Sequence, residues 1–280
     1  MDQQYVIDYY EKTLSDYKLI FFRKNNFSMH YGYWDKKVKN YQDALLRING
    51  VIAEKLGLTN KDFVLDAGCG LGETCFWLAN NVGCHVEGVS ITPAQIKIAK
   101  NLAKKKAKGK KISFRVIDYT KTDYPDNYFD AVVAIEAICH LQDKSVFYKE
   151  MYRILKPSGR LAVAEFVLRK LNMNTKQKNE IRRWLDGWAI PNLWTPDNHV
   201  KTMKKVGFVN VSAEDYSDRV VNTAKYLYFN SLIGIPIYTL MTKIGIIGDL
   251  RLKNAYACKY QWVTKKENLW RHNLFIAKKK

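Results

Sequence analysis

Residues 63 to 74 read Phe63-Val-Leu-Asp-Ala-Gly-Cys-Gly-Leu-Gly-Glu-Thr74, an apolar strand that ends in Asp66 and runs straight into a Gly68-x-Gly70-x-Gly72 turn. A backbone without Cβ atoms can leave a strand sharply and admit a ligand to the main chain, while the helix that follows offers unpaired N–H groups. This is the pattern of a nucleotide-cofactor site. A dinucleotide pyrophosphate calls for Gly-x-Gly-x-x-Gly, but Glu73 stands where the third glycine belongs and sets an anion where phosphate would sit. A positively charged, phosphate-free ligand fits better, and Asp66 agrees, because a carboxylate there attracts an ammonium group.

Outward from this stretch, apolar runs of strand length alternate with helix-period segments, which predicts an α/β fold with a doubly wound, mostly parallel sheet of seven strands. Strands are expected at 63–66, 85–89, 112–117, 129–135, 161–167, 208–213 and 273–277. Helices are expected at 41–56, 73–80, 93–106, 145–155 and 199–206, with Pro93 at a first helical position and Lys156-Pro-Ser-Gly159 as the turn into the fifth strand. Residues 1–40 form an N-terminal helical cap segment, and 41–280 form the main domain with cap insertions near 169–195 and 218–265. These segments hold an unusual share of aromatics, among them Tyr5, Tyr9, Tyr10, Tyr17, Trp184, Trp188 and Trp194. The apolar run 232–241, interrupted by Pro236, is about half the ~20 residues a spanning helix needs. It reads first as a lid over a greasy pocket and second as a patch that docks on a membrane, helped by Lys225, Lys243 and Arg251.

The net charge of +19 admits nucleic acid, an anionic membrane surface or acidic small molecules as partners. The densest run, residues 104–111 with six lysines, falls at the end of an expected helix and reads as a solvated, solubilising edge. Arginine forks interleaved with aromatics would point to nucleic acid more strongly. The five cysteines form no Cys-x-x-Cys pair and no Cys/His cluster at zinc spacing, so they read as reduced thiols and no metal is expected. The first residues lack the basic-then-apolar order of a secretory signal, which gives a cytoplasmic expectation, with membrane-peripheral contact beside it.

The string 64–74, the stretch Gly88-Val-Ser-Ile-Thr-Pro-Ala-Gln95, the stretch Ala134-Ile-Glu-Ala-Ile-Cys-His140 and the turn Leu155-Lys-Pro-Ser-Gly159 resemble class I S-adenosylmethionine-dependent methyltransferases. Within that class the likeness is to sterol-, tocopherol- and related prenyl-type C-methyltransferases, to which His30-Tyr-Gly-Tyr-Trp34 is also similar. The resemblance implies a Rossmann-like methyltransferase sheet and S-adenosyl-L-methionine as cofactor. It sets Gly68, Gly70 and Gly72 against the methionine part, with Asp66 near its ammonium. Ser90 with Gln95 replaces the acidic residue that commonly bonds the ribose, Asp118 accepts from the adenine amine with Tyr119 beside it offering a backbone N–H or a ring face, and Ile135 is a further cofactor-binding position.

Ligands of such sheets bind beyond the carboxyl ends of the strands, so Glu136 and His140 face the place where a methyl group is delivered. An alkene acceptor leaves a carbocation, for which Tyr31, Tyr33, Trp34 and the later tryptophans offer ring faces and Glu136 a carboxylate. A phenol, enol or amine needs one imidazole base, and His140 or His30 serves. The expectation is C-methylation of a small, largely apolar acceptor. N- or O-methylation of a small natural product or amine, RNA methylation, and a cofactor-binding protein used for cyclisation or for no transfer are the alternatives. Against RNA, strand four leads into no Pro-Pro-aromatic turn that would grip a flipped base, so no specific nucleic acid is expected. Self-association into a homo-oligomer is left open.

Overall fold

The computed structural model describes residues 2–20, 26–107 and 109–280. Parts of the expected cap segment (Met1 and 21–25) and Lys108 of the lysine run lie outside them. Seven strands, β1 (Phe63–Ala67), β2 (His85–Ser90), β3 (Ile112–Val116), β4 (Phe129–Ile135), β5 (Leu155–Leu168), β6 (Val209–Asp215) and β7 (Trp270–Lys278), form one sheet in the order β3-β2-β1-β4-β5-β7-β6. The first five are parallel, and β7 runs antiparallel between β5 and β6. The strands β1, β2 and β4 are buried along nearly their whole length, which is why they read as continuous apolar runs. Chain order reverses between β1 and β4, where a doubly wound sheet opens a crevice.

The helices that flank the sheet follow their end signals. In α2 (Tyr41–Leu56), Asn40 caps the first turn by accepting from the N–H of Gln42 and Asp43, and Gly57 closes the other end in the left-handed region. Helices α3 (Glu73–Asn81) and α4 (Pro93–Lys106) link β1, β2 and β3, with Pro93 in the first turn of α4. Helices α5 (Ser145–Ile154) and α7 (Pro196–Val206) pack together on the other side. The expected turn at 156–159 is a bulge inside β5. Pairing passes from Phe129 with Leu155 to Ala131 with Arg160, so the four residues between loop out, with Ser158 at φ +64°.

Four further helices gather beyond the carboxyl ends of the central strands: α1 (Gln3–Ile20), α6 (Thr175–Gly187), α8 (Ser217–Lys243) and α9 (Asp249–Lys266). Helix α9 touches the other three. The buried residues of α8 (Val220, Thr223, Ala224, Leu227 and Ser231) fall three or four apart on one face. The helix also continues through Pro236 to Lys243, so the proline does not break it as its position implied. Among the described residues no helix is long and apolar enough to cross a membrane.

The α6–α9 contact is close because it has a glycine at its centre. A Cβ on Gly187 would stand 2.4 Å from the Lys253 carbonyl oxygen and 2.7 Å from the Ala257 Cβ. Gly187→Ala is expected to push the helices apart at a cost of about 1–3 kcal/mol and to lower the melting temperature by several degrees. A thermal melt unchanged from wild type would show that the helices are not in this contact.

Candidate functional site

At the β1–β4 reversal the glycine turn is held from two sides. The N–H groups of Gly68 and Cys69 both donate to the Val89 carbonyl at the end of β2, each at 2.9 Å. A Cβ on Gly68, at φ +88°, would lie 2.4 Å from the Ala137 Cβ just past β4. No side chain fits between these strand ends, so the turn can serve as a floor for a ligand.

A cavity of about 230 Å³ opens over this floor. Of the residues expected to hold a cofactor, Asp66, Gly68, Gly70, Ser90, Gln95, Asp118, Tyr119 and Ile135 all line it. Gly72 does not. It caps α3 at φ +87° and packs against Phe114, where a Cβ would come within 2.6 Å of the ring. Glu73 accepts from the Phe27 N–H at 3.0 Å and pairs with Lys106, which ties the segment 26–30 over the cavity.

Asp66 is buried, and its recorded partner is the Cys75 thiol, which donates at 3.2 Å. Burial pushes its carboxyl up to about 7. Ser90 and Gln95 form one unit, with the serine hydroxyl donating to the glutamine carbonyl at 2.9 Å. Ser90 also accepts from the Thr92 N–H, so it caps its loop as well. Asp118 turns one oxygen to the N–H and hydroxyl of Thr120, at 2.8 and 2.7 Å, and the other to the Gln3 amide. The Tyr119 hydroxyl donates to the Ala137 carbonyl at 2.8 Å, so its polar end serves the wall and its ring faces the cavity.

A second, smaller chamber of about 50 Å³ shares Tyr10, Met29, His30, Glu136 and His140 with the first. Its other walls combine five aromatic residues (Tyr9, Tyr17, Tyr31, Phe166 and Trp188) with the apolar Ile20, Ile190 and Leu227, two cysteines, and the polar Asp16 and Asn254. Tyr33, Trp34, Trp184 and Trp194 do not line it. Tyr33 packs on Tyr216, Trp34 donates to Thr223, Trp184 is core and Trp194 lies tilted against His199. The run 232–241 is not its lid either, since from α8 only Leu227 reaches the wall.

Glu136 stands at the junction of the two spaces with φ +49°, a strained value for a residue with a side chain. Its Oε1 accepts from the Tyr31 N–H and from His272 Nε2, both at 3.0 Å. Tyr31 stacks parallel to His272 and donates its hydroxyl to Gln261, so it braces the wall. His140 is not a free base. Its Nδ1 donates to the Ala189 carbonyl at 2.9 Å, so Nε2 must accept from the Tyr10 hydroxyl at 2.8 Å, and burial presses its pKa down to about 4. His30 differs. Its Nδ1 donates to the Tyr31 carbonyl, which leaves buried Nε2 as a lone pair with no hydrogen-bond partner among the described residues.

His272 was not singled out as a site residue. It lies one residue before the expected last strand, 273–277. Pairing with Phe166 in β5 carries this histidine beside the crevice.

Comparison with known proteins matches residues 65–163 to the Methyltransferase domain family. The chain is 30% identical over 194 residues to the 27-O-demethylrifamycin SV methyltransferase of Amycolatopsis mediterranei, covering 68% of this chain and 70% of that one. The chain belongs to the class I S-adenosylmethionine-dependent methyltransferases. It is also 34% identical over 216 residues to a sterol 24-C-methyltransferase of Saccharomyces cerevisiae, covering 75% of this chain and 56% of that one. The chain spans little more than half the length of several curated relatives it matches. In fold it matches a cyclopropane synthase of Mycobacterium tuberculosis with a TM-score of 0.81 at 16% identity, covering 99% of both chains, and the cyclase SpnF with 0.80 at 22% identity, covering 99% and 95%.

The cavity of this methyltransferase fits S-adenosylmethionine. A buried carboxylate with no cation beside it among the described residues, a glycine turn with room for a ligand at the main chain and a serine–glutamine pair match an ammonium, a main-chain contact and vicinal hydroxyls in turn. Below about pH 7 Asp66 holds a proton in the free protein and cannot attract an ammonium ion. Affinity for the cofactor or its demethylated product is therefore expected to fall up to about tenfold per pH unit below 7 and to level off above it. Isothermal calorimetry from pH 5.5 to 8.5 checks this, and an affinity flat with pH would contradict the proposed Asp66–ammonium contact.

Proposed function

We propose that this methyltransferase adds a methyl group to a carbon of an apolar, alkene-bearing acceptor of prenyl or sterol type. The observation that supports it is the pairing, at one junction, of the Glu136 carboxylate and the unpartnered His30 Nε2 with a chamber walled by aromatic rings. Two relatives point the same way by their names, the yeast sterol 24-C-methyltransferase and a 2-methyl-6-phytyl-1,4-hydroquinone methyltransferase of Synechocystis, the latter 36% identical over 149 residues.

In this reading Asp66 holds the ammonium, Gly68 and Gly70 admit the methionine part, and Ser90 with Gln95 takes the ribose hydroxyls. Asp118 accepts from the adenine amine in place of Gln3, between the ring of Tyr119 and Ile135. When bound, S-adenosylmethionine supplies an electrophilic methyl group. The residues 1–40, 169–195 and 218–265 act as the cap that aligns the acceptor and excludes water, and alignment alone contributes up to about 7–11 kcal/mol. Addition of the methyl group to an alkene leaves a carbocation on the acceptor. Glu136, fixed by Tyr31 and His272, stabilises that charge, and aromatic faces assist it. His30 Nε2 takes the proton from the neighbouring carbon, and the C–H electron pair restores a double bond. His140 and Tyr10 hold the wall. An apolar acceptor is drawn from lipid, so the reading includes peripheral contact with a membrane surface.

Incubation with radiolabelled S-adenosylmethionine and a panel of sterols, prenyl diphosphates, quinols and small amines tests the acceptor. Label is expected in a lipid-like alkene, and label confined to amines would overturn the assignment. Glu136→Gln and His30→Ala are each expected to reduce kcat about 100-fold or more and to leave the cofactor Kd within about threefold. Wild-type turnover in either variant removes that residue from the chemistry.

A further inference from the structure

Helix α8 has two apolar faces, and only one is covered. Its inward face carries Leu227 to the aromatic chamber. On the outside, Phe229, Ile233, Ile237 and Leu240 repeat at three- to four-residue intervals, and Ile244 and Ile246 continue the run beyond the helix end. Phe229 is 62% exposed, Ile233 70% and Ile246 63%. With Leu232, seven of the thirteen exposed large hydrophobics among the described residues lie within 229–246. A stripe this dense on an otherwise lysine-rich surface marks a contact.

The charges around the stripe select its partner. From residue 219 to 248 the chain holds three bases, Arg219, Lys225 and Lys243, and no acid. Lys225 and Lys243 are exposed and bracket the stripe, so their ammonium groups can reach headgroups while the apolar side chains enter the acyl region. Tyr228 and Trp262 pack against each other beside Lys225, the amphipathic rings found at membrane–water boundaries. A second copy is the weaker occupant, since an isologous contact would press two bodies of +19 together.

We propose that the outward face of α8 docks this protein on an anionic lipid bilayer, with the helix lying in the interface and the acceptor chamber behind its Leu227 turn, next to the Phe229 end of the stripe. The inference deepens the lipid-acceptor reading and rests on it for its purpose. One helix, about 10 Å across, then separates the acyl region from the chamber, so an acceptor leaves the lipid beside α8 without crossing bulk water.

Sedimentation with vesicles of phosphatidylcholine alone, or mixed with phosphatidylglycerol, tests the docking with neither methyl donor nor acceptor present. Binding to the mixed vesicles that weakens with salt is expected. Ile233→Glu with Ile237→Glu is expected to lower the partition coefficient at least about tenfold. Lys225→Glu with Lys243→Glu is expected to lower it about fivefold per lysine on anionic vesicles alone. All variants should keep wild-type circular dichroism and cofactor affinity. No vesicle binding by wild type, or full binding by the isoleucine variant, overturns the proposal. A concentration-dependent dimer that the isoleucine substitutions abolish also overturns it and gives the face to a second copy. Vesicle binding with no lipid methylated would strike the acceptor reading and leave the docking intact. Methylation of a detergent-dispersed lipid without vesicle binding would do the reverse.

Discussion

The absence of a side chain at Gly68 lets the ends of β1 and β4 meet, since a Cβ there would stand 2.4 Å from that of Ala137. That approach closes the floor of the crevice and fixes four strand ends together. The Ala137 carbonyl also receives the Tyr119 hydroxyl from the end of β3, and the glycine turn is bonded to Val89 at the end of β2. With the floor closed, Asp66 loses its water, and Glu136, one residue before Ala137, is held in a left-handed conformation that turns its carboxylate toward both cavities. One small-residue contact thus places the two acids on which the proposed chemistry depends.

These acids differ in how they are held, and the difference suits different tasks. Asp66 accepts from the Cys75 thiol and has no cation beside it among the described residues, so burial raises its pKa and makes its ionised form receptive to a positive ligand. Glu136 instead accepts a backbone N–H and a histidine N–H on the same oxygen. Two such bonds fix the direction of the carboxylate. The first arrangement favours binding a cation that arrives from solution, and the second favours a cation that forms transiently beside it.

Much of the fold was legible because its signals are local. The strand, Asp66, glycine turn and helix lie within twelve consecutive residues, and Pro93 acts on its own helix end. Eight of the expected cofactor positions reach the cavity for the same reason, since parallel strands deliver their carboxyl ends to one edge. What the sequence did not reveal depends on pairing across the chain. His272 meets Glu136 only because β7 returns antiparallel beside β5, a register that no spacing in residues 269–272 encodes. His140 read as a base from its place after β4, but its two nitrogens are claimed by Ala189 and Tyr10, 49 and 130 residues away. The apolar run of α8 shows the same limit, because hydropathy marks a greasy segment without saying which face is covered. The buried residues Val220, Thr223, Ala224, Leu227 and Ser231 all precede that run, and the part that read as a lid faces outward.

The charge of the whole protein opposes the charge of its site. A body of +19 repels a cationic cofactor at long range, yet Asp66, Glu73, Asp118 and Glu136 all line the same cavity. Within a Debye length of about 8 Å at physiological salt, nearby carboxylates outweigh distant lysines, so selection of a cation is a matter of the last few ångströms and owes little to steering. Glu73 is paired with Lys106 and spends its charge on holding the segment 26–30 in place. The surplus of lysine therefore has no use inside the cavity, and its effect falls on whatever anionic surface the protein approaches. A cation-binding interior and a cationic exterior are compatible because the surface lysines stand in high-dielectric, salt-screened solvent, whereas the cavity carboxylates act at short range where screening is weak.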